Sequence, residues 1–146
     1  MMEISGCIAR LTDKDAKAAC RYMEQIVRES REDGRWAPYF TGFAQLLRHK
    51  NSLVRSRAVC ILAAGARWAG EEELEAVMDE LLLHIADEKP ITARQCIAAL
   101  PEIAAARPRL IPRIRQALES ADPGVYRDSM RPLIERDIAA AIKAIA

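Results

Sequence analysis

Between residues 40 and 65 the apolar side chains fall into two runs at helical spacing. Phe40, Phe43 and Leu47 form the first, and after a polar break at 48–51, Val54, Ala58, Ile61, Leu62 and Gly65 form the second. This spacing predicts a helix, a short turn and another helix. One such hairpin leaves an apolar face uncovered on each helix, so it requires neighbours of the same kind. The pattern returns around Thr92 and around Val125. Aligning the second helices places Val54, Ala58 and Leu62 over Thr92, Cys96 and Leu100, and over Val125, Ser129 and Leu133, at offsets of 38 and 33 residues. A branched or apolar residue, a small one four later and a Leu four after that suit close packing of one hairpin on the next.

The rest of the chain follows the same period. Ile4, Ile8 and Leu11 share a face of a short helix containing Gly6. Thr12, with Asp15 three residues later, is the expected N-cap of a long helix at 12–30 carrying Ala16, Ala19, Cys20, Met23, Ile26 and Val27 inward. Pro38 opens the next helix, and Ser52 is expected to cap the one after it, which should end at 68–70. Glu71, Glu72 and Glu73 suit a helix N-terminus, and Leu74 to Ile85 carry that helix to Ala86. Pro90 opens a helix with Cys96, Ile97, Leu100, Ile103 and Ala104 inward, and Pro101 should bend it. Leu110, Ile111, Ile114 and Leu118 form a compact helix after Pro108. Asp122 and Pro123 read as cap and first turn of the last helix, with Val125, Leu133, Ile134, Ile138, Ala141 and Ile145 inward and Pro132 bending or splitting it.

No segment alternates with period two. The expectation is an all-α single domain over 1–146 with seven or eight helices: an N-terminal capping helix at 12–30 and helical hairpins at 38–69, 71–107 and 109–146. Its core should include Ala58, Leu62, Cys96, Leu100 and Leu133.

At the start of the second helix, Val54-Arg55-Ser56-Arg57-Ala58 with Leu62 resembles the HEAT family of helical repeats, of armadillo type, whose second helix begins with a Val-Arg pair followed by Ala and Leu. The resemblance covers residues 38 to about 135. It implies a right-handed α-α superhelix of about three hairpins, used as a scaffold that presents a curved surface, with the second helices on its concave side. Asp87 occupies the family's inter-helix Asp position, which implies a bond between Arg55 and Asp87 pinning one hairpin to the next. Ala93 and Tyr126 stand where the family has the Arg matched by Arg55, and His49 stands at the Asp position of the first hairpin.

Composition narrows the function classes. With 146 residues, 51% of them hydrophobic, the chain can bury roughly 70% of its unfolded surface and needs no staple. Cys7, Cys20, Cys60 and Cys96 match neither a zinc ligand set nor a CxxC motif, and read as reduced, buried thiols of a cytosolic protein. The N-terminal MMEISGCIARL lacks the pattern of a signal peptide, and no uncharged run is long enough to span a membrane. His49 and His84 are far apart, with no acid or thiol at ligand spacing, and no phosphate loop, nucleophile elbow or paired carboxylate motif is present. No catalytic residue, metal or cofactor is therefore assigned, and a non-enzymatic protein is expected.

Charge is the least uniform property. Residues 34–70 hold six basic residues and no acid, with Trp36, Tyr39, Phe40, Phe43 and Trp68, whereas residues 71–89 hold eight acids against one base. A basic, aromatic stretch suits phosphates and stacked bases, and it resembles the alkylation-repair DNA glycosylases, which are built from HEAT-like repeats. The adjacent acidic helix is expected to cancel much of that field. A second cluster holds Arg107, Arg109, Arg113 and Arg115. Arg94, Arg127 and Arg131, read as lying on second helices, are the partner-binding candidates. The preferred partner is another protein, with nucleic acid as the alternative.

Overall fold

A computed structural model describes residues 3–146; Met1 and Met2, which begin the stretch read for a leader, lie outside them. Of the described residues 79% are helical and none is in a strand, so the chain is all-α. Eight α-helices follow one another: α1 (Ile4–Leu11), α2 (Ala16–Glu32), α3 (Phe40–Ala44), α4 (Ser52–Gly65), α5 (Glu71–Leu83), α6 (Pro90–Ala106), α7 (Ile111–Glu119) and α8 (Arg131–Ile145). Short 3₁₀ turns extend several of them, and the predicted helix opened by Pro38 is α3 flanked by such turns at Ala37–Tyr39 and Gln45–Arg48.

The even-numbered helices pack in chain order, α4 against both α2 and α6, and α6 against α8. Of the odd-numbered ones, α1 lies on α2, α3 on α4, and α7 on both α6 and α8. Position decides composition. Wedged between two neighbours, α4 buries Val54, Ala58, Val59, Ile61, Leu62, Ala63 and Ala64, and is apolar on nearly every side, as a helix covered all round must be. Burying a side chain such as Leu62 contributes about 1.5–3 kcal/mol. A Cβ added at Gly42 of α3 would lie 2.5 Å from the Ile4 side chain of α1, so a larger residue there would have to push that side chain aside. One hydrophobic core runs from Cys7 to Ile145.

Several expectations need correction. Asp15, not Thr12, caps α2: its carboxylate accepts from the Lys17 and Ala18 amides, while Thr12 ends α1 and donates to Ile8 O at 2.8 Å. Asn51, not Ser52, caps α4 by accepting from Leu53 N, and α4 stops at Gly65 rather than at 68–70. The helix opened by Pro90 runs through Pro101 to Ala106, although the proline removes one amide from its interior.

The largest miss is at the C-terminal end. Asp122 caps only the 3₁₀ turn Pro123–Val125, and the last helix starts at Arg131 with Pro132 in its first turn, where proline opens a helix without bending it. Val125 is 68% exposed, Ser129 is exposed, and Leu133 is only half-buried outside the core cluster. The third unit of the alignment therefore fails. Ala58, Leu62, Cys96 and Leu100 are buried as expected, and Ile134, Ala141 and Ile145 hold α8 in place.

Candidate functional site

The outward faces of α2, α4 and α6 form a groove of about 550 Å³. Because α4 is sunk between its neighbours, it offers the groove only Cys60 and Ala63, and α6 adds Ala98 and Ala99 beside Met23 and Val27 of α2. The polar faces of the two flanking helices rise as rims. Glu24, Arg28, Arg31 and Glu32 come from α2, and Gln95 and Glu102 from α6. A smaller hollow of about 270 Å³, lined by Ile91, Arg94 and Asp137 and sharing Gln95 and Ala98, continues it towards α8.

One ion pair spans the groove. Arg31 Nε and Nη2 each donate to Glu102 at 2.9 Å, and Arg67 Nη2 donates to the same carboxylate at 3.1 Å. The Arg31 hydrogen bonds hold the Glu102 carboxyl below its usual value against the opposing effect of burial, and the charges of Arg31 and Arg67 add to it. In the floor, burial pushes the Cys60 thiol up to about 11, so it stays protonated and is a poor nucleophile. All four cysteines are free. Cys7 and Cys96 are buried as expected, whereas Cys20 and Cys60 are only half-buried.

A second polar cluster sits where α4, α5 and α6 begin or end. Asp87 accepts from Arg55 Nε at 3.0 Å, Arg55 Nη2 at 2.9 Å and Lys89 N at 2.9 Å, and its Oδ2 lies 2.8 Å from His84 Nδ1. Burial alone would raise the Asp87 carboxyl, but these bonds and the Arg55 charge reverse the sign and hold it below its usual value. Arg55 also donates to His49 O and Lys50 O, and Tyr126 donates to Asp87 O at 2.6 Å. This is joinery. The Arg55–Asp87 bond expected from the repeat alignment is present, and it is buried rather than at the surface.

The charge clusters of the sequence largely neutralise one another. Arg48 pairs with Glu80 at 2.9 Å on one flank of α5, and on the other Arg107 and Arg109 pair with Glu71, and Arg113 with Glu75 and Asp79. Arg35 pairs with Asp33 and Glu29, Arg67 with Glu102, and Arg57 donates to Leu11 O. The aromatic residues are equally engaged. Trp36, Tyr39 and Phe43 stack on one another, Trp36 Nε1 donates to Glu29, and Trp68 Nε1 donates to Ser30 O.

The three partner-binding candidates do not converge. Arg94 lies on the groove face and pairs with Asp137 of α8 at 2.6 Å. Arg131 opens α8 and pairs with Asp128 at 3.0 Å. Arg127 is exposed in the connection before α8, not on a second helix, and forms no ion pair among the described residues. Sequence reasoning missed Arg28, Arg31, Cys60 and Glu102. Arg31 and Glu102 are 71 residues apart, so no local pattern joins them. The one usable signal was the set of small residues Cys60, Ala98 and Ala99 outside the apolar core faces. Among the described residues no group of three or more His, Cys, Asp or Glu is placed to hold a metal, and no helix is long and apolar enough to cross a membrane. No protein-family model, no curated protein and no solved structure matches this chain.

Proposed function

We propose that this is a non-enzymatic, HEAT-like scaffold of the cytosol, a right-handed superhelix of hairpins that docks a segment of another protein chain in the groove across α2, α4 and α6. The groove carries this reading. Its floor of small residues between charged rims admits a side-chain-bearing segment. Neither thiol nor imidazole argues for chemistry: Cys60 is held protonated and His84 is tied to Asp87. Four free thiols suit a reducing compartment.

Nucleic acid, the alternative partner, would use the basic stretch 34–70. Intramolecular pairing of Arg35, Arg48, Arg55 and Arg67 leaves little of that charge for phosphates. The test replaces Ala98, in the groove, and Ala139, on the exposed side of α8, each with a photo-crosslinking residue in the native cell. A single protein adduct from position 98 that position 139 does not give is the expected result. Equal adducts from both positions would overturn the groove reading. Labelled single- and double-stranded DNA and RNA should show no tight binding by anisotropy at low salt. Affinity falling about a thousandfold or more between about 50 and 200 mM salt would replace the protein partner with nucleic acid.

A further inference from the structure

We infer that the segment held in this groove carries a carboxylate, an Asp or Glu side chain, which takes Arg31 away from Glu102. The inference rests on the groove being the docking site proposed above. Arg31 and Glu102 both line the groove, so a segment seated on Cys60, Ala63 and Ala99 meets the pair that crosses it. Its two ends are not equivalent. The Arg31 side chain is 56% exposed, whereas Glu102 is 21% exposed and has a second donor in Arg67.

That second donor decides the sign of the partner's charge. If Arg31 swings to an incoming carboxylate, Glu102 keeps Arg67 and is not left half-buried and unpaired, the outcome that makes breaking a buried pair costly. A partner cation at this pair would instead have to displace guanidinium groups already bonded to Glu102, and elsewhere in the groove would find only the rim carboxylates Glu24 and Glu32. Arg28 lies one turn before Arg31 on the groove face of α2 and forms no ion pair among the described residues, so it can join Arg31 on the same carboxylate. Glu32 and Glu24, on the same rim, lie on either side of this arginine pair: Glu32 is 3.7 Å from Arg35, and Glu24 accepts from the Cys20 thiol. The groove thus offers the Arg28 and Arg31 side chains, one turn apart on α2, beside a floor of Met23, Val27, Cys60 and alanines, which fits an acidic residue flanked by small or medium apolar ones.

The test is a selection of short random peptides, displayed and panned on the whole protein, followed by anisotropy with the selected peptides. Expected winners share an Asp or Glu beside small apolar residues and crosslink through position 98. Changing that acid to its amide in the peptide, or making Arg28→Ala with Arg31→Ala in the protein, should weaken binding about tenfold. Glu102→Gln should leave affinity equal or tighter, because it frees Arg31. Peptides that crosslink at position 98 yet carry Lys or Arg, ignore the acid-to-amide change, or weaken severalfold on Glu102→Gln would overturn the carboxylate assignment while leaving the groove reading intact. An empty selection, or winners that never crosslink at position 98, would overturn the groove reading and this inference with it. The acid-to-amide comparison uses the unaltered protein, so loss of fold in the arginine variant does not decide the outcome.

Discussion

The junction between α4 and α6 and the junction between α6 and α8 perform the same task with different chemistry. At the first, Arg55 and Asp87 have side chains only 9% and 3% exposed, and Ser56 and Thr92 add a hydroxyl bond of 2.9 Å between the two helices. At the second, Arg94 and Asp137 are 38% and 23% exposed. The apolar register also holds in one place and fails in the other. Thr92, Cys96 and Leu100 are buried under their counterparts of α4, whereas Val125 and Ser129 face solvent. The alignment of the two helices holds where a buried polar pin fixes the start of the second one. At the third unit the Arg position is Tyr126, which reaches back to Asp87 O, and the helix begins several residues later.

The sharpest way to break this comparison is to remove each acid. Asp87→Ala leaves the buried Arg55 with only the exposed Glu88, 3.8 Å away, as a counterion and should cost about 3 kcal/mol, whereas Asp137→Ala should cost about 1 kcal/mol or less. Urea unfolding of the two variants checks this, and equal losses would show that burial does not separate the junctions. Asp87 also predicts a pH dependence. Its carboxyl is held below the ordinary value in the folded state, so its stabilising effect is complete above the ordinary carboxylate range and is lost as pH falls through the folded-state value. The acid limb of the stability profile should therefore be shallower in Asp87→Asn than in the unaltered protein.

Core packing gives the next largest difference. Leu62→Ala, in a fully packed site, should cost about 2–5 kcal/mol. Leu133→Ala removes a half-buried side chain outside the core cluster and should cost about 1 kcal/mol, because little area returns to water. Similar values at the two positions, measured by the same urea titration, would restore Leu133 as a true repeat position.

These pairs also mark how far the sequence was legible. Helical period identified the all-α class and the inward residues of α6, but on α4 it found only Val54, Ala58, Ile61 and Leu62 and missed Val59, Ala63 and Ala64, because a helix buried on both flanks has no single apolar face for the period to mark. Helix ends were read less well, because Thr12 and Asp15, or Asn51 and Ser52, are equally competent caps and only the backbone path chooses between them. The period also ran through residues 123–130, where Val125 continues a helical face that the fold does not form. Groove residues were nearly invisible, because Arg31 and Glu102 meet only after α2 and α6 flank α4, and an exposed Arg on a helix carries no local mark of its partner.

Capping offers a smaller contrast between the same regions. Asn51 closes the start of α4, a helix of 14 residues, so Asn51→Ala should cost about 1 kcal/mol. Asp122 caps a turn of 3 residues, and Asp122→Ala should cost less, since no long helix depends on it. Thermal unfolding of both variants decides, and a larger loss at Asp122 would mean that the connection before α8 contributes more than its exposure suggests.

The smallest expected effect isolates the α6–α8 pin itself. Arg94 lies on the groove face, and its Nε donates to Asp137 Oδ2 at 2.6 Å. Replacing either residue with Ala also removes stem packing and leaves a charge behind, so single losses overstate the bond. A double-mutant cycle of Arg94→Ala and Asp137→Ala cancels those terms, and for a pair this exposed the coupling should be about 0.2–1 kcal/mol and should shrink as salt is raised. Coupling above about 2 kcal/mol, unchanged by salt, would place this pair in the class of Arg55 with Asp87. The two junctions would then be held alike, and the failure of the alignment at its third unit would need a cause other than the loss of a buried pin.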